Sequence, residues 1–502
     1  MTRPGFVDLY FGKSDPTHEA RANPEDFIRS YVDLDGAITQ VVSGEKTLIL
    51  GPKGTGKSAL GLYIEKTSGL EGSSYYARLK NASTLPLAEI PQLKTGQPSG
   101  ALRTYTAWKF ILLANYLDVA LSDQTAKITN IREIRRVLRS LREFGFISSE
   151  AGKTLLQVSG KSYALDKAEV GSLFRDEGGS SVTIYTLIPY LERWALAVRS
   201  TKRHILILDG LDSIFLNDAR YDESLSGLTQ AAHDLNLSLG TNGATGSIVL
   251  LIRNDIFSRI SLILPDAHKM RDFAHDLDWR VMSGAAGENA PLIRLVNRKA
   301  SQERGDGSGV DVLSYFPTAI PIGGRRGRPK TMPRLQYLLN LTRHTPRDIL
   351  QLMEHVRLAA KAAEAPATDR LLSQDVIREG VVQYSAKYFV DAIRGEFAGF
   401  QGGAVESEAA LNALKFLPHS QFTRSDYRNC IATHSPGLES KADEFLRLLF
   451  FAGALGNLFR TGNERYMVFY HRRNDVDLNV QGTLILHNAL THAWSRTFGM
   501  TE

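Results

Sequence analysis

The sequence predicts an α/β fold in which a parallel β-sheet is flanked by helices. Three short apolar runs, at residues 47–50, 204–208 and 247–252, have the composition of strands that are buried on both faces. A glycine-rich turn follows the first run, Asp209 follows the second, and Arg253 with Asn254 follows the third. Because parallel strands present their carboxyl ends at one edge of the sheet, we expect these groups to meet there.

The glycine-rich turn is Gly51-Pro52-Lys53-Gly54-Thr55-Gly56-Lys57-Ser58, which fits the phosphate-loop pattern G-x-x-x-x-G-K-[ST]. Its three glycines allow backbone conformations in which N–H groups, with that of Thr55, point at phosphate oxygens. Lys57 adds a positive charge and Ser58 a hydroxyl ligand for Mg²⁺. A helix that begins near Ser58 and Ala59 directs the positive end of its dipole at the same anion. We therefore predict a P-loop NTPase core that binds ATP and Mg²⁺; the alternative is a glycine-rich turn without a ligand.

Two acidic residues follow the second apolar run. Asp209 lies at the end of a buried strand, where we expect it to hold Mg²⁺ directly or through water. Asp212 lies three residues later and is a candidate for orienting or deprotonating the attacking water. The alternative for Asp212 is a helix-capping carboxylate without a catalytic role.

Two further positions are candidates for sensing the terminal phosphate. Arg253 and Asn254 end the third apolar run, and the alternative for both is an ordinary surface loop. Thr345 and Pro346 are typical of a helix start, which places Arg347 in the first turn of a lid helix. An arginine there can bind the γ-phosphate and couple its loss to lid movement. The alternative for Arg347 is an Arg–Asp pair that makes no contact with nucleotide.

The sequence indicates several domains, as its 502 residues exceed one ordinary hydrophobic core. We predict an N-terminal helical segment over 1–45, with caps at Asp15 and Asn23, and a P-loop ATPase core over 46–265 with a helical insertion at about 85–180. A helical lid would span 266–400 and contain a basic loop at 305–333. Residues 401–502 show three helices, the second capped by Thr423, and a hairpin, the order typical of a winged helix.

Composition suggests a cytoplasmic protein. A formal net charge of +6 permits contact with nucleic acid without requiring it. The single cysteine, Cys430, cannot form an internal disulfide, so we expect a reducing compartment. No secretory signal is visible at residues 1–5, and the most apolar window, 446–459, is interrupted by Arg447 and too short to span a bilayer. We therefore predict no membrane contact.

Three basic features are candidates for DNA contact. The helix over residues 131–144 has five arginines between Arg132 and Arg142, and the loop Arg325–Lys330 contains Arg-Gly-Arg-Pro-Lys, which matches the core of an AT-hook. The helix before the C-terminal hairpin, over 442–452, has Arg447 but also Asp443 and Glu444. The alternatives are a solvated helix face, a solvated loop and a winged helix that joins proteins.

The motifs together resemble a known family. Asp209-Gly210-Leu211-Asp212 is similar to the Walker B motif of STAND and KAP ATPases, relatives of AAA+ proteins in which the second acid lies three positions later. With Tyr10-Phe11-Gly12, the phosphate loop, residues 252–257 and Thr345-Pro346-Arg347-Asp348-Ile349, the pattern from Tyr10 to Phe397 resembles a bacterial P-loop ATPase family often found in anti-phage defence loci. The resemblance implies an AAA+/STAND-like α/β fold with a helical lid and, by analogy with origin-recognition ATPases, a winged-helix tail.

These features predict an ATPase that works as a nucleotide-controlled switch or assembly in bacterial defence, as a homo-oligomer, with DNA and an effector protein as candidate partners. Lys57 and Ser58 would hold ATP, Asp209 the metal, Asp212 the water, and Arg347 would report hydrolysis. The alternative is a non-hydrolysing module whose bound nucleotide fixes the fold while its tail recruits an effector such as a nuclease. A P-loop kinase is a weaker alternative, because a long lid and a winged tail have no role in phosphate transfer to a small acceptor.

Overall fold

A computed structural model describes residues 4–82, 101–143, 146–147, 184–211, 219–264, 266–280, 290–301, 309–325, 328–364, 371–397, 403–461, 464–473 and 476–495. The chain divides into two compact units. The sheet unit is Asp33–Asp278, and the discontinuous unit combines Met1–Val32 with Trp279–Glu502.

The sheet unit contains five strands and eight helices among its described residues. The strands are β1 (Leu48–Leu50), β2 (Tyr75–Asn81), β3 (Arg203–Asp209), β4 (Gly246–Ile252) and β5 (Ala274–Asp276). The helices are α3 (Ala37–Ser43), α4 (Lys57–Ser68), α5 (Ala101–Ser122), α6 (Ile131–Glu143), α7 (Ile184–Ala197), α8 (Ala219–Thr241), α9 (Asn254–Ile260) and α10 (Ala267–Arg271).

The five strands form one parallel sheet in the order β2-β3-β4-β1-β5. From β1 the chain crosses to β2 at one edge, whereas from β4 it crosses to β5 at the other edge. The neighbouring strands β1 and β4 therefore send their connections in opposite directions, which opens a crevice outside their carboxyl ends. The predicted α/β class and parallel sheet are confirmed.

Both faces of the sheet are covered by helices. On one face, α4 approaches so closely that a Cβ added to Gly61 would lie 2.9 Å from a methyl of Leu79. On the other face, Leu206 and Leu208 belong to a core cluster with Trp108 of α5 and Leu225 of α8. Burial on both faces explains why β3 and β4 have continuous apolar runs instead of alternating ones.

The described part of the predicted insertion packs on this core. Most side chains of α5 between Ala107 and Leu121 are buried in the cluster, and α6 adds Ile134, Val137, Leu138 and Leu141. The Trp108 indole donates to Ser224 Oγ of α8 at 3.1 Å. Residues 83–100 and 148–183 lie outside the described residues, so the insertion and the other domain boundaries stay predictions.

The discontinuous unit is mainly helical. Its helices are α1 (Pro16–Ala22), α2 (Pro24–Ser30), α11 (Pro291–Ala300), α12 (Arg334–Asn340), α13 (Pro346–Ala362), α14 (Gln374–Tyr384), α15 (Val390–Arg394), α16 (Gly403–Lys415), α17 (Arg424–His434), α18 (Ala442–Phe451) and α19 (Asn488–Ala493). Its strands are β6 (Ala319–Arg325), β7 (Arg328–Pro333), β8 (Gln421–Phe422), β9 (Leu455–Thr461), β10 (Glu464–Val468) and β11 (Thr483–Leu486).

Several helix starts are capped as predicted. The Asp15 side chain accepts from Thr17 N at the start of α1, and Asn23 accepts from Asp26 N at the start of α2. Thr423 and Asp426 form a capping box at the start of α17. These caps are read from local sequence alone, which is why they are among the most predictable features of the chain.

The two small sheets of this unit contain strands that the sequence analysis missed. The basic loop pairs β6 with β7 as an antiparallel hairpin, and residues 326–327 between the strands lie outside the described residues. Near the C-terminus, the predicted hairpin is β9 with β10, and it joins a four-stranded sheet of order β10-β9-β11-β8. Helices α16, α17 and α18 precede the hairpin, and the winged-helix assignment stays a prediction.

Candidate phosphate-binding site

The glycine-rich loop connects β1, which ends at Leu50, to α4, which begins at Lys57. Gly54 and Gly56 have φ angles of 85° and 95°, in the left-handed region that side chains with a Cβ rarely adopt. At Gly56 an added Cβ would meet no atom within 4 Å, so backbone conformation and not crowding selects glycine there. The loop therefore has the concave backbone that the sequence predicts for anion binding.

At position 51, neighbouring atoms leave no room for a side chain, so glycine is required. A Cβ on this residue would lie 2.5 Å from Thr55 Oγ1 and 3.4 Å from the carbonyl oxygen of Leu277. The Thr55 hydroxyl donates to Pro52 O at 2.9 Å, and Leu277 N donates to Leu50 O at 2.8 Å. The segment after β5 thus holds the start of the loop, a contact that no local pattern predicts.

The Lys57 ammonium lies over the loop. Its Nζ donates to the carbonyl oxygens of Gly51, at 2.7 Å, and Pro52, at 3.0 Å. These contacts fold the side chain back along the turn and place a positive charge beside the glycine backbone. The role of Lys57 toward a phosphate stays a prediction.

The start of α4 is left open by its own sequence. Gly56 occupies the cap position and has no side chain with which to accept from the first N–H groups of Lys57, Ser58 and Ala59. The first intrahelical bond runs from Leu60 N to Gly56 O at 2.9 Å. The Ser58 hydroxyl makes no hydrogen bond to any residue that the structure describes. The helix therefore presents amides, a hydroxyl and its positive dipole end together.

Asp209 ends β3 as predicted, and its environment fixes one of its oxygens. Gly210, at φ 73°, donates its N–H to Asp209 Oδ1 at 2.8 Å. The other carboxylate oxygen accepts from none of the described residues. Since β4 alone separates β3 from β1, the carboxyl ends of β3 and β1 lie about 10 Å apart at normal strand spacing.

Asn81 lies beside Asp209 and was missed by the sequence analysis. It ends β2 and pairs in register with Asp209. A Cβ on Gly210 would lie 2.5 Å from Asn81 Oδ1, so the amide crosses directly over this turn. Asn81 and Asp209 are separated by 127 residues, and no sequence motif links them. Their proximity follows only from the pairing of β2 with β3.

Arg253 and Asn254 leave β4 next to β1. The Arg253 guanidinium donates through Nε and Nη2 to the two carboxylate oxygens of Asp255, both at 3.0 Å. Asn254 Oδ1 is buried and has no hydrogen-bond partner among the described residues. A buried amide oxygen without a partner costs about 1–3 kcal/mol, so Asn254 is suited to a donor from outside the protein chain. The structure brings Asn254 to the predicted edge of the sheet.

Arg347 begins α13 in the discontinuous unit, and its role toward the nucleotide stays a prediction. The described residues include no hydrogen-bond or ion-pair partner for its guanidinium. The alternative considered for it, a pair with Asp348, does not form. Asp348 pairs instead with Arg343, which donates through Nε and Nη2 to Asp348 Oδ2 and Oδ1, both at 2.9 Å.

The Arg343–Asp348 pair is the centre of a buried network at the start of α13. Arg343 N and Tyr388 OH also donate to Asp348, at 2.9 and 2.8 Å, and Glu396 lies 3.4 Å from Arg343 Nη1. Burial opposes ionisation of Asp348, but attraction to Arg343 and these hydrogen bonds outweigh it and lower the pKa of Asp348 to about 2. The network fixes the backbone on both sides of Arg347.

Asp212, the predicted catalytic acid, lies outside the described residues. Its role as water activator and the capping alternative therefore both stay open. The residue before it, Leu211, is buried, and its carbonyl accepts from Tyr221 OH at 2.7 Å. This bond links the end of the described turn to α8.

Of the three predicted DNA surfaces, the basic loop has an exposed Lys330, whereas α6 and α18 combine paired and exposed charges. On α6, Arg142 is paired with Asp118, which also contacts the buried Lys80, while Arg132, Arg135, Arg136 and Arg139 are exposed. On α18, Asp443 pairs with Arg424 of α17, and Arg447 is exposed. On the C-terminal hairpin, Arg460 and Arg465 lie directly opposite one another and both are exposed.

The described residues contain no group of three or more His, Cys, Asp or Glu side chains that could hold a metal ion. Ser58 and Asp209 nevertheless supply the hydroxyl and carboxylate oxygens that Mg²⁺ prefers when nucleotide phosphates provide further ligands. None of the described helices is both long enough and apolar enough to cross a membrane.

Comparison with known proteins gives little similarity. No protein-family model matches the chain, and no curated protein matches it. Among solved structures, the Aeropyrum pernix ORC2 protein, in ADPNP and ADP complexes, is 12% identical and covers 93% of this chain and 93% of its own, with a TM-score of 0.34. A similarity at this level does not identify a function.

Proposed function

We propose that this protein binds ATP with Mg²⁺ at the carboxyl edge of its parallel sheet and hydrolyses it as a nucleotide-controlled switch. The observation that carries the proposal is the strand order. It puts the phosphate loop after β1, the orphaned amide oxygen of Asn254 after the adjacent β4, and the carboxylate of Asp209 after β3. A crevice at such a switch point is where open α/β sheets bind their ligands.

The triphosphate would lie on the loop. The backbone N–H groups between Gly54 and Ala59 would cradle its oxygens, with the Lys57 ammonium exchanging its bonds to Gly51 O and Pro52 O for phosphate oxygens. Each such exchange replaces a neutral acceptor by an anion, and charge-assisted hydrogen bonds are about twice as strong as neutral ones.

Magnesium would be held by Ser58 and Asp209, the latter directly or through water. When bound, the ion would neutralise charge on the phosphate oxygens. Asn81, beside Asp209, is suited to hold a water molecule or a phosphate oxygen through its amide. Asp212 would orient the attacking water, and Asn254 Oδ1 would accept from that water.

Arg347 would act as the reporter of the terminal phosphate. It is a cation without a partner among the described residues, on a helix start that the Arg343–Asp348 pair makes rigid. A rigid base lets contact with a phosphate move the whole helix instead of one side chain. This coupling is the switch in our proposal.

We propose that the C-terminal hairpin contacts DNA. Arg460 and Arg465 pair in register and are both exposed, so they place two cations on one face of the hairpin, where a nucleic-acid backbone would be attracted. The stacked rings of Phe459 and Tyr466, 5.4 Å apart, make this part of the hairpin rigid. A role in bacterial anti-phage defence, with self-association and an effector protein, is proposed from the motif resemblance.

The test records phosphate release and particle mass together, with Mg²⁺ and ATP, in the presence and absence of duplex DNA. We expect steady phosphate release that is lost on removing Mg²⁺, and a change of mass or rate on adding DNA. Nucleotide binding without any phosphate release would instead favour the alternative, a non-hydrolysing module that recruits an effector. Absence of both binding and release would exclude both functions.

A further inference from the structure

A cleft of about 390 Å³ lies at the opposite edge of the sheet from the phosphate loop. Arg203 and Tyr75 are the first residues of β3 and β2 and pair in register, so the cleft lies at the amino ends of these strands. The phosphate loop follows the carboxyl end of β1, and a strand of the length of β3 spans about 20 Å. The cleft is therefore separate from the proposed nucleotide site. Its volume is in the range of small-molecule sites.

Arg203 supplies an uncompensated positive charge to this cleft. It forms no ion pair with any carboxylate in the part of the chain that the structure describes, and its Nη1 donates only to Gly246 O, at 3.4 Å. A guanidinium carries five N–H donors, so most of its capacity remains for a ligand. Burial lowers the pKa of Arg203, as expected for a half-buried cation without a carboxylate beside it.

The position of Arg203 is fixed by its surroundings. The guanidinium lies against Gly44, where an added Cβ would be 2.4 Å from Nη1. Gly44 has a φ of 80° and follows the last residue of α3, so backbone geometry favours glycine there and leaves room for the guanidinium. A cation held in this way loses little rotamer freedom on binding an anion.

The rest of the cleft combines an apolar wall with a hydroxyl rim. Ile38, Val42 and the ring of Tyr75 are partly buried and form the wall. The Tyr75 ring is held by a 2.6 Å hydrogen bond between its hydroxyl and Thr67 Oγ1. Thr39, Ser43 and Ser74 are exposed at the rim. The Ser43 hydroxyl donates to Gln40 O at 3.0 Å, so the rim hydroxyls offered to a ligand are those of Thr39 and Ser74. This arrangement fits a ligand with a flat apolar body and an anionic group.

We propose that this cleft binds a phosphate monoester attached to a flat apolar or aromatic body. A phosphate monoester has three acceptor oxygens, which the Arg203 fork and the rim hydroxyls can share, whereas a carboxylate would leave the rim unused. A nucleic-acid backbone is disfavoured, because it would require several cations in a row and the cleft has one.

Isothermal titration of the full chain with phenyl phosphate, in nucleotide-free buffer, tests the site. We expect phenyl phosphate to bind and phenol to show no binding at the same concentrations. Arg203→Met should raise Kd by about tenfold or more, the effect of losing a charge-assisted contact. Lys202→Met is the matched control: it removes the same charge one residue away, from a side chain that does not line the cleft.

Two further variants test the site if Arg203→Met does not fold and distinguish the cleft from the phosphate loop. Thr39→Glu puts a negative charge on the exposed rim without touching the core, so it should also weaken binding if Arg203→Met fails to fold. Arg203→Met should weaken phenyl phosphate binding equally in the wild-type and Lys57→Ala backgrounds, which separates this site from the phosphate loop. Failure of the wild type to bind phenyl phosphate would overturn the proposal, as would an equal Kd in a folded Arg203→Met or Thr39→Glu variant.

Discussion

Helices α4 and α13 begin in opposite ways. The cap position of α4 is Gly56, which has no side chain that could accept from the first amides of the helix. The start of α13 is capped by the Thr345 side chain, has Pro346 in its first position, and is closed by the Arg343–Asp348 pair. The first start has no side-chain cap, whereas the second is capped by the Thr345 side chain, and the Arg347 guanidinium beside it has no hydrogen-bond or ion-pair partner among the described residues.

The difference shows how one structural element can serve binding or rigidity. A helix N-terminus with open amides is favourable only when an anion joins it, whereas a capped one is stable by itself. The protein combines an open start in the sheet unit with a closed start in the discontinuous unit. We expect substitutions at α13 to act mainly on stability and substitutions at α4 mainly on ligand binding.

The largest expected effect is a loss of stability when the pair at the start of α13 is broken. Asp348→Ala leaves the buried Arg343 with only the longer contact to Glu396, and breaking a buried pair in this way costs about 3–5 kcal/mol. Urea denaturation should show this loss. The control is Asp391→Ala, which removes the exposed pair with Arg394 and should change stability little. Equal effects of the two variants would contradict a closed, rigid start.

The second effect is a loss of stability on mild acidification. His487 accepts from Ala489 N and contacts Thr342 O, and the ring nitrogens of His471 have no partner among the described residues. Burial, and then repulsion from neighbouring charges such as Arg472, lowers the pKa of His487 to about 3 and that of His471 well below its usual value. Below about pH 6.5, His471 and His487 are therefore protonated in the unfolded chain but stay neutral in the folded chain.

The sign follows from these lowered values: the stability from both neutral rings is present above pH 6.5 and is lost as pH falls toward the folded pKa. Each ring contributes about 1.4 kcal/mol per pH unit in that window. Between pH 7.5 and 5.5, these two rings together should lower the unfolding free energy by about 2–3 kcal/mol, and His471→Phe should remove about half of that amount. An unchanged fall in that variant would show that His471 is not the titrating group.

The smallest stability effect is expected at the open start. Gly56→Ala introduces a side chain at φ 95° without any clash, so it should lower stability by about 1–2 kcal/mol through backbone strain alone. Gly240→Ala is the matched control, since that glycine lies in α8 with open space and ordinary φ, and it should not lower stability. The same Gly56→Ala protein should bind ATP more weakly, which separates the binding role of α4 from its contribution to stability.

Local chemistry made much of this protein predictable. The buried strands, the glycine-rich loop and the caps at Asp15, Asn23 and Thr423 depend on short sequence patterns, and the structure has them where they are predicted. The Asp209 carboxylate was placed at a strand end for the same reason. These features need no knowledge of which strand pairs with which.

The missed features depend on long-range pairing. Strand β5 has three residues, too few to show periodicity, yet the segment after it holds Gly51 through Leu277. Asn81 reaches Asp209 only because β2 pairs with β3. Asp348 pairs with Arg343, five residues earlier, and not with the adjacent Arg347. The buried guanidinium of Arg343 donates to both carboxylate oxygens of Asp348. Pairing of this kind is set by the fold and not by adjacency in sequence.

The most direct test of the account is a titration of the full chain with a fluorescent ATP analogue, in Mg²⁺ and again in excess chelator. We predict that Lys57→Ala raises Kd at least about a hundredfold, as expected for lost charge-assisted contacts to two phosphates, and that chelation weakens binding to the wild type. Lys66→Ala, an exposed lysine in the last turn of the same helix, should bind as the wild type does. An equal Kd for the wild type and Lys57→Ala would contradict the claim that this loop holds a triphosphate.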